Sequence, residues 1–192
     1  MNCGEPMQAI VLAGGKSTRM GRDKSLMEVN GRSLIRITLE RLIETGHSKI
    51  VVYSADKSQT SRQADSIGNI SGRITWRQDP SPYNGVIESL RHAMMNEEFD
   101  SDRPLQISPV DTPDLNPDIY AKLRRSLLPN VDVVVPISSV IHPLHALVRI
   151  TPFLEALDTL GGPIASQIKS MRWRGIQTKD QYLRNLNSPA DV

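Results

Sequence analysis

Apolar positions along the chain alternate between two rhythms. Short β-branched runs recur at Ala9–Ala13 (AIVLA), Lys49–Tyr53 (KIVVY), Arg73–Trp76 (RITW), Leu105–Ser108 (LQIS), Val131–Pro136 (VDVVVP) and Ala146–Ile150 (ALVRI). Runs this short and this β-branched predict strands. Between several of them the period lengthens toward that of a helix. Ser33–Thr45 carries Leu34, Ile37, Leu39, Leu42 and Ile43 on one stripe, with Ser33 as cap and Gly46 as stop. Val86–Met95 and Pro117–Leu128 repeat the pattern, the second behind Asn116 and a proline at its first turn.

Strands that alternate with helices build βαβ units. The expected fold is therefore α/β: a single-domain, Rossmann-like, mainly parallel twisted sheet with helices on both faces. Such sheets bind ligands at the carboxyl ends of their strands. The loops after AIVLA, RITW and LQIS are thus expected to meet at one crevice. Past residue 130 the pattern loosens and prolines multiply, which reads as an extension of the same sheet. A chain of 192 residues fits one domain, 1–192. Within it a first part at about 7–115 carries those loops, and a second part at about 116–192 follows.

Composition narrows the partners. With 39% hydrophobic residues but only two Phe, two Trp and four Tyr, the core must be mostly aliphatic. The net charge is +2 with both signs dispersed, so no basic block marks a nucleic-acid surface. The one cysteine, Cys3, sits in a polar stub and excludes an intrachain disulfide or a cysteine-built metal site. No apolar run approaches the ~20 residues of a membrane span. The start MNCGEPMQ lacks a basic and then apolar signal pattern. A cytoplasmic protein without membrane or nucleic-acid partners is expected.

The densest chemistry lies in LAGGKSTRMGRDKSL, residues 12–26. Gly15-Lys16-Ser17 suggests the end of a P-loop, but the first glycine of that motif would fall on Ile10, inside the strand. Gly14, Gly15 and Gly21 also miss the spacing of a dinucleotide fingerprint. What remains is a strand ending in two glycines, free to take positive φ and to bring bare main chain close to a ligand. Lys16, Arg19, Arg22 and Lys24 follow closely. That charge suits a triphosphate.

Three other clusters carry candidate chemistry. Asp111, in Ser108-Pro109-Val110-Asp111-Thr112-Pro113, stands just past a strand. It is placed either to hold magnesium together with phosphate oxygens or to start a turn. Asp79, after RITW, is an acceptor pair that matches the adjacent N1–H and N2 amine of guanine. His142-Pro143 with His145 suggests metal or acid–base work, or a histidine that supports a proline turn. Lys169, Arg172 and Arg174 are either an anion-binding group or a solvated face.

Leu12-Ala13-Gly14-Gly15-Lys16-Ser17-Thr18-Arg19-Met20-Gly21-Arg22-Asp23-Lys24 resembles the N-terminal signature of the molybdenum cofactor guanylyltransferases, Leu-Ala-Gly-Gly-x-Ser-x-Arg-Met-Gly-x-Asp-Lys, at every fixed position. The resemblance implies a nucleotidyltransferase that moves GMP from GTP to the phosphate of molybdopterin with Mg²⁺. Leu12, Ala13, Gly14 and Gly15 would cradle the nucleotide, and Lys24 would contact phosphates and stabilise transition-state charge. Arg19 is added as a second phosphate ligand. Asp111-Thr112-Pro113 is similar to the family's metal motif. Asn185-Leu186-Asn187-Ser188-Pro189 is similar to its Asn-x-Asn-Thr-Pro, which makes Asn185 and Asn187 either candidate metal ligands on one side of an extended segment or Asx-turn residues before a proline. Asp79 and Gly85 would bind the nucleoside, and His142 and Pro143 would shape the acceptor pocket.

Gly85-Val86-Ile87-Glu88-Ser89 departs from the family's Gly-Pro-Leu-x-Gly. A CTP-dependent molybdopterin cytidylyltransferase, a transferase for a sugar phosphate or other small phosphate, and a non-catalytic GTP-binding subunit therefore stay open. So does a partner that delivers or inserts the cofactor.

Overall fold

The computed structural model describes residues 7–15, 23–80, 85–96 and 99–186. Arg19, Asn187, Lys16, Arg22 and Cys3 lie outside the described residues. The strands are β1 (Met7–Leu12), β2 (Glu28–Val29), β3 (Arg32–Ser33), β4 (His47–Ser54), β5 (Ile74–Gln78), β6 (Leu105–Pro109), β7 (Val133–Ile137), β8 (Leu147–Val148) and β9 (Trp173–Gln177). The helices are α1 (Leu34–Glu44), α2 (Lys57–Ile67), α3 (Val86–Met95), α4 (Asp118–Ser126), α5 (Ile150–Thr159) and α6 (Ile164–Lys169).

One sheet runs β5-β4-β1-β6-β8-β7-β9, and β2 and β3 pair apart from it as a small hairpin. All pairs in the large sheet are parallel except those of β8, which is antiparallel to β6 and β7. The chain therefore builds outward from β1 to β4 and β5, then returns across it to β6. The gap between the ends of β1 and β6 is the topological switch point at which such sheets bind ligands.

Side chains alternate through the sheet and divide the core in two. Ala9, Val11, Ile50, Val52 and Val134 face a layer built with Leu39 and Leu42 of α1, Ile67 of α2 and Leu123 of α4. Ile10, Val51, Val133 and Val135 face Leu90 of α3, Phe153 of α5 and Ile168 of α6. Helices cover both faces, as expected. Ser33 caps α1 by accepting from Arg36 N–H at 3.4 Å. Gly46 ends the turn after it at φ +90°. Asn116 caps the start of α4 through Asp118 N–H at 2.9 Å.

One expectation needs correction, and one choice between two readings resolves to a solvated face. ALVRI is a strand only at Leu147–Val148, because Ile150 already begins α5. Lys169, Arg172 and Arg174 are not grouped at the ligand end. Arg172 precedes β9 and binds Asp132, which precedes β7, through two bonds of 2.8 and 2.6 Å. Both residues thus stand at the amino ends of parallel strands, a strand length from the switch point. No described helix is long and apolar enough to cross a membrane.

Buried histidines give the fold an acid-sensitive core. Burial, opposed by the Leu42 carbonyl, pushes His47 down to about 4. Burial, with His142 and Arg41 nearby, pushes His145 down to about 3. An unfolded histidine titrates near ~6.5, so on acidification the unfolded chain binds these protons first. Their stabilisation is complete above pH ~6.5 and is lost as pH falls toward the folded values. Thermal melts are expected to show Tm unaffected by these groups between pH 7 and 8 and falling steadily from 6.5 to 4. A flat Tm down to pH 4.5 would exclude this contribution.

Candidate functional site

A cavity of about 380 Å³ opens over the carboxyl ends of β1, β4 and β6. Leu12, Ala13, Gly14, Gly15, Lys24, Asp79, Gly85 and Asp111 all line it. The loops after β1, β5 and β6 thus converge as the strand order requires.

Each wall has a local cause. β1 ends when Ala13 N–H donates to Tyr53 O at 3.0 Å. Gly14 then passes so close to the start of the β4–α2 connection that a Cβ on it would lie 3.2 Å from Ala55 N. Gly15 has open space where a Cβ would stand. Neither glycine lies in the left-handed region, contrary to expectation. Gly14 is needed for backbone approach to β4, and Gly15 leaves the loop open on the cavity side. The positive-φ glycine of the site is Gly85, at +105°, where it starts α3.

Lys24 begins a 3-10 turn, Lys24–Leu26, which Asp23 caps by accepting from Ser25 N–H at 3.0 Å and Ser25 Oγ–H at 2.6 Å. Gln63 of α2 is fully buried and ties this turn to the sheet. Its Nε2 donates to Ser25 Oγ at 2.8 Å and Ala13 O at 3.2 Å, and its Oε1 accepts from Ser54 Oγ–H at 2.5 Å. So anchored, Lys24 Nζ lies 3.1 Å from Asp111 Oδ2, with side-chain exposures of 17% and 23%. This pair spans the switch point.

The Asp111 loop is clamped from three sides. Arg41 of α1 donates to Thr112 O at 3.0 Å and also to Pro113 O. Leu186 N–H donates to Asp111 O at 2.9 Å. Thr112 Oγ1 lies 3.5 Å from His145 Nε2. The Asp111 carboxylate caps no helix or turn among the described residues. Its Oδ2 accepts from Lys24 Nζ. Asp23 Oδ2 is buried without a hydrogen-bond partner among the described residues. These carboxylates suit magnesium, which takes one or two of them and fills its remaining positions with substrate phosphate and water.

On the opposite side of β1 in the sheet order stands Asp79. Its N–H donates to Ser54 O at 2.8 Å, and its Oδ2 accepts from Ser89 Oγ–H. The ring of Tyr53 lines the same part of the cavity, edge-on to His92 at 6.2 Å.

Not every expected residue arrives. His142 and Pro143 do not line the cavity, although their neighbour Leu144 does. His142 is held through Ser138 Oγ, 2.8 Å from its Nε2, and by its own N–H to Pro136 O at 3.0 Å. Asn185 is exposed and off the cavity wall, while Leu186 between the two asparagines is buried and fixed to Asp111. Residues not foreseen in the wall include Asp23, Ser25, Tyr53, Ser89 and Leu144. Of these, Asp23 carried a readable signal as a fixed position of the N-terminal signature, and Ser89 as the replacement of a glycine of the related motif.

Residues 9–172 match the family model of the MobA-like NTP transferase domain. Among curated proteins the chain is similar to one from Rhodopirellula baltica named "Probable molybdenum cofactor guanylyltransferase", at 27% identity over 97% of this chain and 90% of that one. Among solved structures it resembles molybdopterin-guanine dinucleotide biosynthesis protein A from Archaeoglobus fulgidus, with TM-score 0.68, 19% identity and coverage of 96% and 94%. It also resembles a Mycobacterium tuberculosis protein in complex with manganese, with TM-score 0.66, 15% identity and coverage of 91% and 89%.

Proposed function

The chain belongs to the family of MobA-like NTP transferase domains, and from that premise we propose that it transfers GMP from GTP to the terminal phosphate of molybdenum-bearing molybdopterin, releasing pyrophosphate. The observation that carries this reading is the Lys24–Asp111 pair, 3.1 Å apart, beside the glycine-rich end of β1. A cation for phosphates and a carboxylate for a divalent ion there share one crevice.

The acceptor is a phosphate monoester whose second ionisation lies near ~6, so at neutral pH it is mostly a dianion. One of its oxygens forms a bond to the α-phosphorus of GTP. The bond from that phosphorus to the bridging oxygen breaks, and the electron pair leaves with pyrophosphate. No protein base is needed, which agrees with a neutral, buried His145 behind the loop. Catalysis then consists of positioning and charge stabilisation.

Lys24 and the main chain of Leu12–Gly15 take the leaving phosphates, with Arg19 as a second cation. Asp111 would hold magnesium, with Asn185 or Asn187 as the further candidate ligands that the related motif implies. When bound, the metal supplies Lewis-acid polarisation of the phosphoryl oxygens. Asp79 and Gly85 take the guanosine, and His142 and Pro143 shape the acceptor side through Leu144. The nucleotide-binding part is about 7–115 and the acceptor part about 116–192. The reaction is placed in the cytoplasm, where a partner would deliver the cofactor precursor or receive the product.

The test is incubation with Mg-GTP and molybdenum-bearing molybdopterin, reading product mass and pyrophosphate. A guanine dinucleotide with stoichiometric pyrophosphate is expected. Pyrophosphate formed with CTP and not with GTP would move the assignment to a cytidylyltransferase. GTP binding without pyrophosphate would make the chain a non-catalytic subunit.

A further inference from the structure

Strand order places Asp111 and Asp79 on opposite sides of β1, at the ends of β6 and β5. The three inter-strand steps between them span about 14 Å, at ~4.8 Å each. A nucleoside triphosphate laid across this edge with its phosphates at Lys24 and Asp111 brings its base to Asp79.

At that end Ser89, one turn into α3 and buried, donates its Oγ–H to Asp79 Oδ2. The Asp79 backbone is already fixed by its N–H on Ser54 O, at 2.8 Å. That bond leaves the two side-chain torsions to be set, and a hydroxyl presented by a helix bears directly on them.

An ionised carboxylate only accepts hydrogen bonds. Guanine meets it with two adjacent donors, N1–H and the 2-amino group. Adenine and cytosine each place a ring acceptor beside their amine, and that acceptor faces the carboxylate unfavourably. Uracil offers one N–H between two carbonyls. Hypoxanthine keeps N1–H and lacks the amine, so it isolates the second contact.

We infer that Ser89 is a specificity-determining positioning residue, which orients Asp79 to receive the N1–H and 2-amino group of a guanine ring. This rests on the proposed guanine-nucleotide site. A side chain needed only for packing would change stability or the binding of all nucleotides alike. Ser89, acting through Asp79, changes the preference between two purines that differ by one amine.

The experiment measures Kd for Mg-GTP and Mg-ITP by calorimetry with wild-type protein, Ser89→Ala and Ser89→Thr, while GMP transfer is assayed separately. Wild-type protein is expected to prefer GTP by at least about tenfold, the scale of one hydrogen bond to a charged group. Ser89→Ala is expected to lose most of that preference by weakening GTP, with ITP changed less than about threefold. Ser89→Thr, which keeps the hydroxyl, retains it. If Ser89→Ala does not fold, Ser89→Cys, with a weak S–H donor, reads the same ratio.

A preference that Ser89→Ala leaves intact, an equal loss for both nucleotides, or a wild-type protein without preference overturns the inference. Discrimination that depends on Ser89 without GMP transfer removes the proposed reaction and keeps this role. Transfer with an unmoved GTP/ITP ratio does the reverse.

Discussion

Lys24→Ala is expected to lower the rate of GMP transfer at saturating Mg-GTP by on the order of 10²–10³, the cost of removing one preorganised electrostatic contact from a transition state. Lys24 is not a loose surface cation. Asp23 caps its turn, and Gln63 joins that turn to Ala13 and Ser54. Its ammonium therefore meets developing charge without first being ordered. The loss is expected mainly in kcat, because charge on the departing pyrophosphate grows in the transition state. Stability is expected to change little, since ion pairs with this much solvent access contribute only about 0–1 kcal/mol. Lys24→Arg is not expected to restore the rate, because a planar fork does not replace a compact ammonium. Pyrophosphate release under steady state is the check, and a near-native kcat for Lys24→Ala would remove Lys24 from the chemistry.

Asp111→Asn carries the second large effect. The amide keeps the shape of the side chain and an oxygen for Lys24, and the Arg41 and Leu186 contacts are to backbone carbonyls that the change leaves in place. What disappears is the negative charge that would attract a divalent ion. Lewis-acid stabilisation is worth several kcal/mol, so the rate is expected to fall by on the order of 10²–10³. Magnesium titration is expected to show weaker binding in the presence of GTP, while thermal melts stay near wild type. An unchanged magnesium requirement with an unchanged rate would place the metal elsewhere.

The strands were legible because parallel strands buried on both faces read as nearly continuous β-branched runs. The helices with an aliphatic stripe were legible for the complementary reason. α2 was not. Its sequence, KSQTSRQADSI, buries Gln59, Gln63 and Ile67, and two of those three are polar. Gln59 accepts from Ala55 N–H at 2.6 Å, and Gln63 binds three partners, so hydrogen bonds hold this helix where an apolar stripe would be expected. β9, WRGIQ, was missed because it is an edge strand with a polar face.

In the site, the glycine pair, Lys24, Asp79 and Asp111 could be read from local motifs. Their assembly could not. The Lys24–Asp111 pair exists because β6 returns beside β1, a fact of topology. The purpose of Gly14 was also hidden, since its constraint is the backbone of Ala55, 41 positions along the chain.

The central claim is tested most directly by a crystal structure of the protein with a guanosine triphosphate analogue and magnesium. The predicted result places the phosphates against Leu12–Gly15 and Lys24, a metal ion on Asp111 and the base at Asp79. A nucleotide bound on another surface, with this crevice filled only by solvent, would contradict the account.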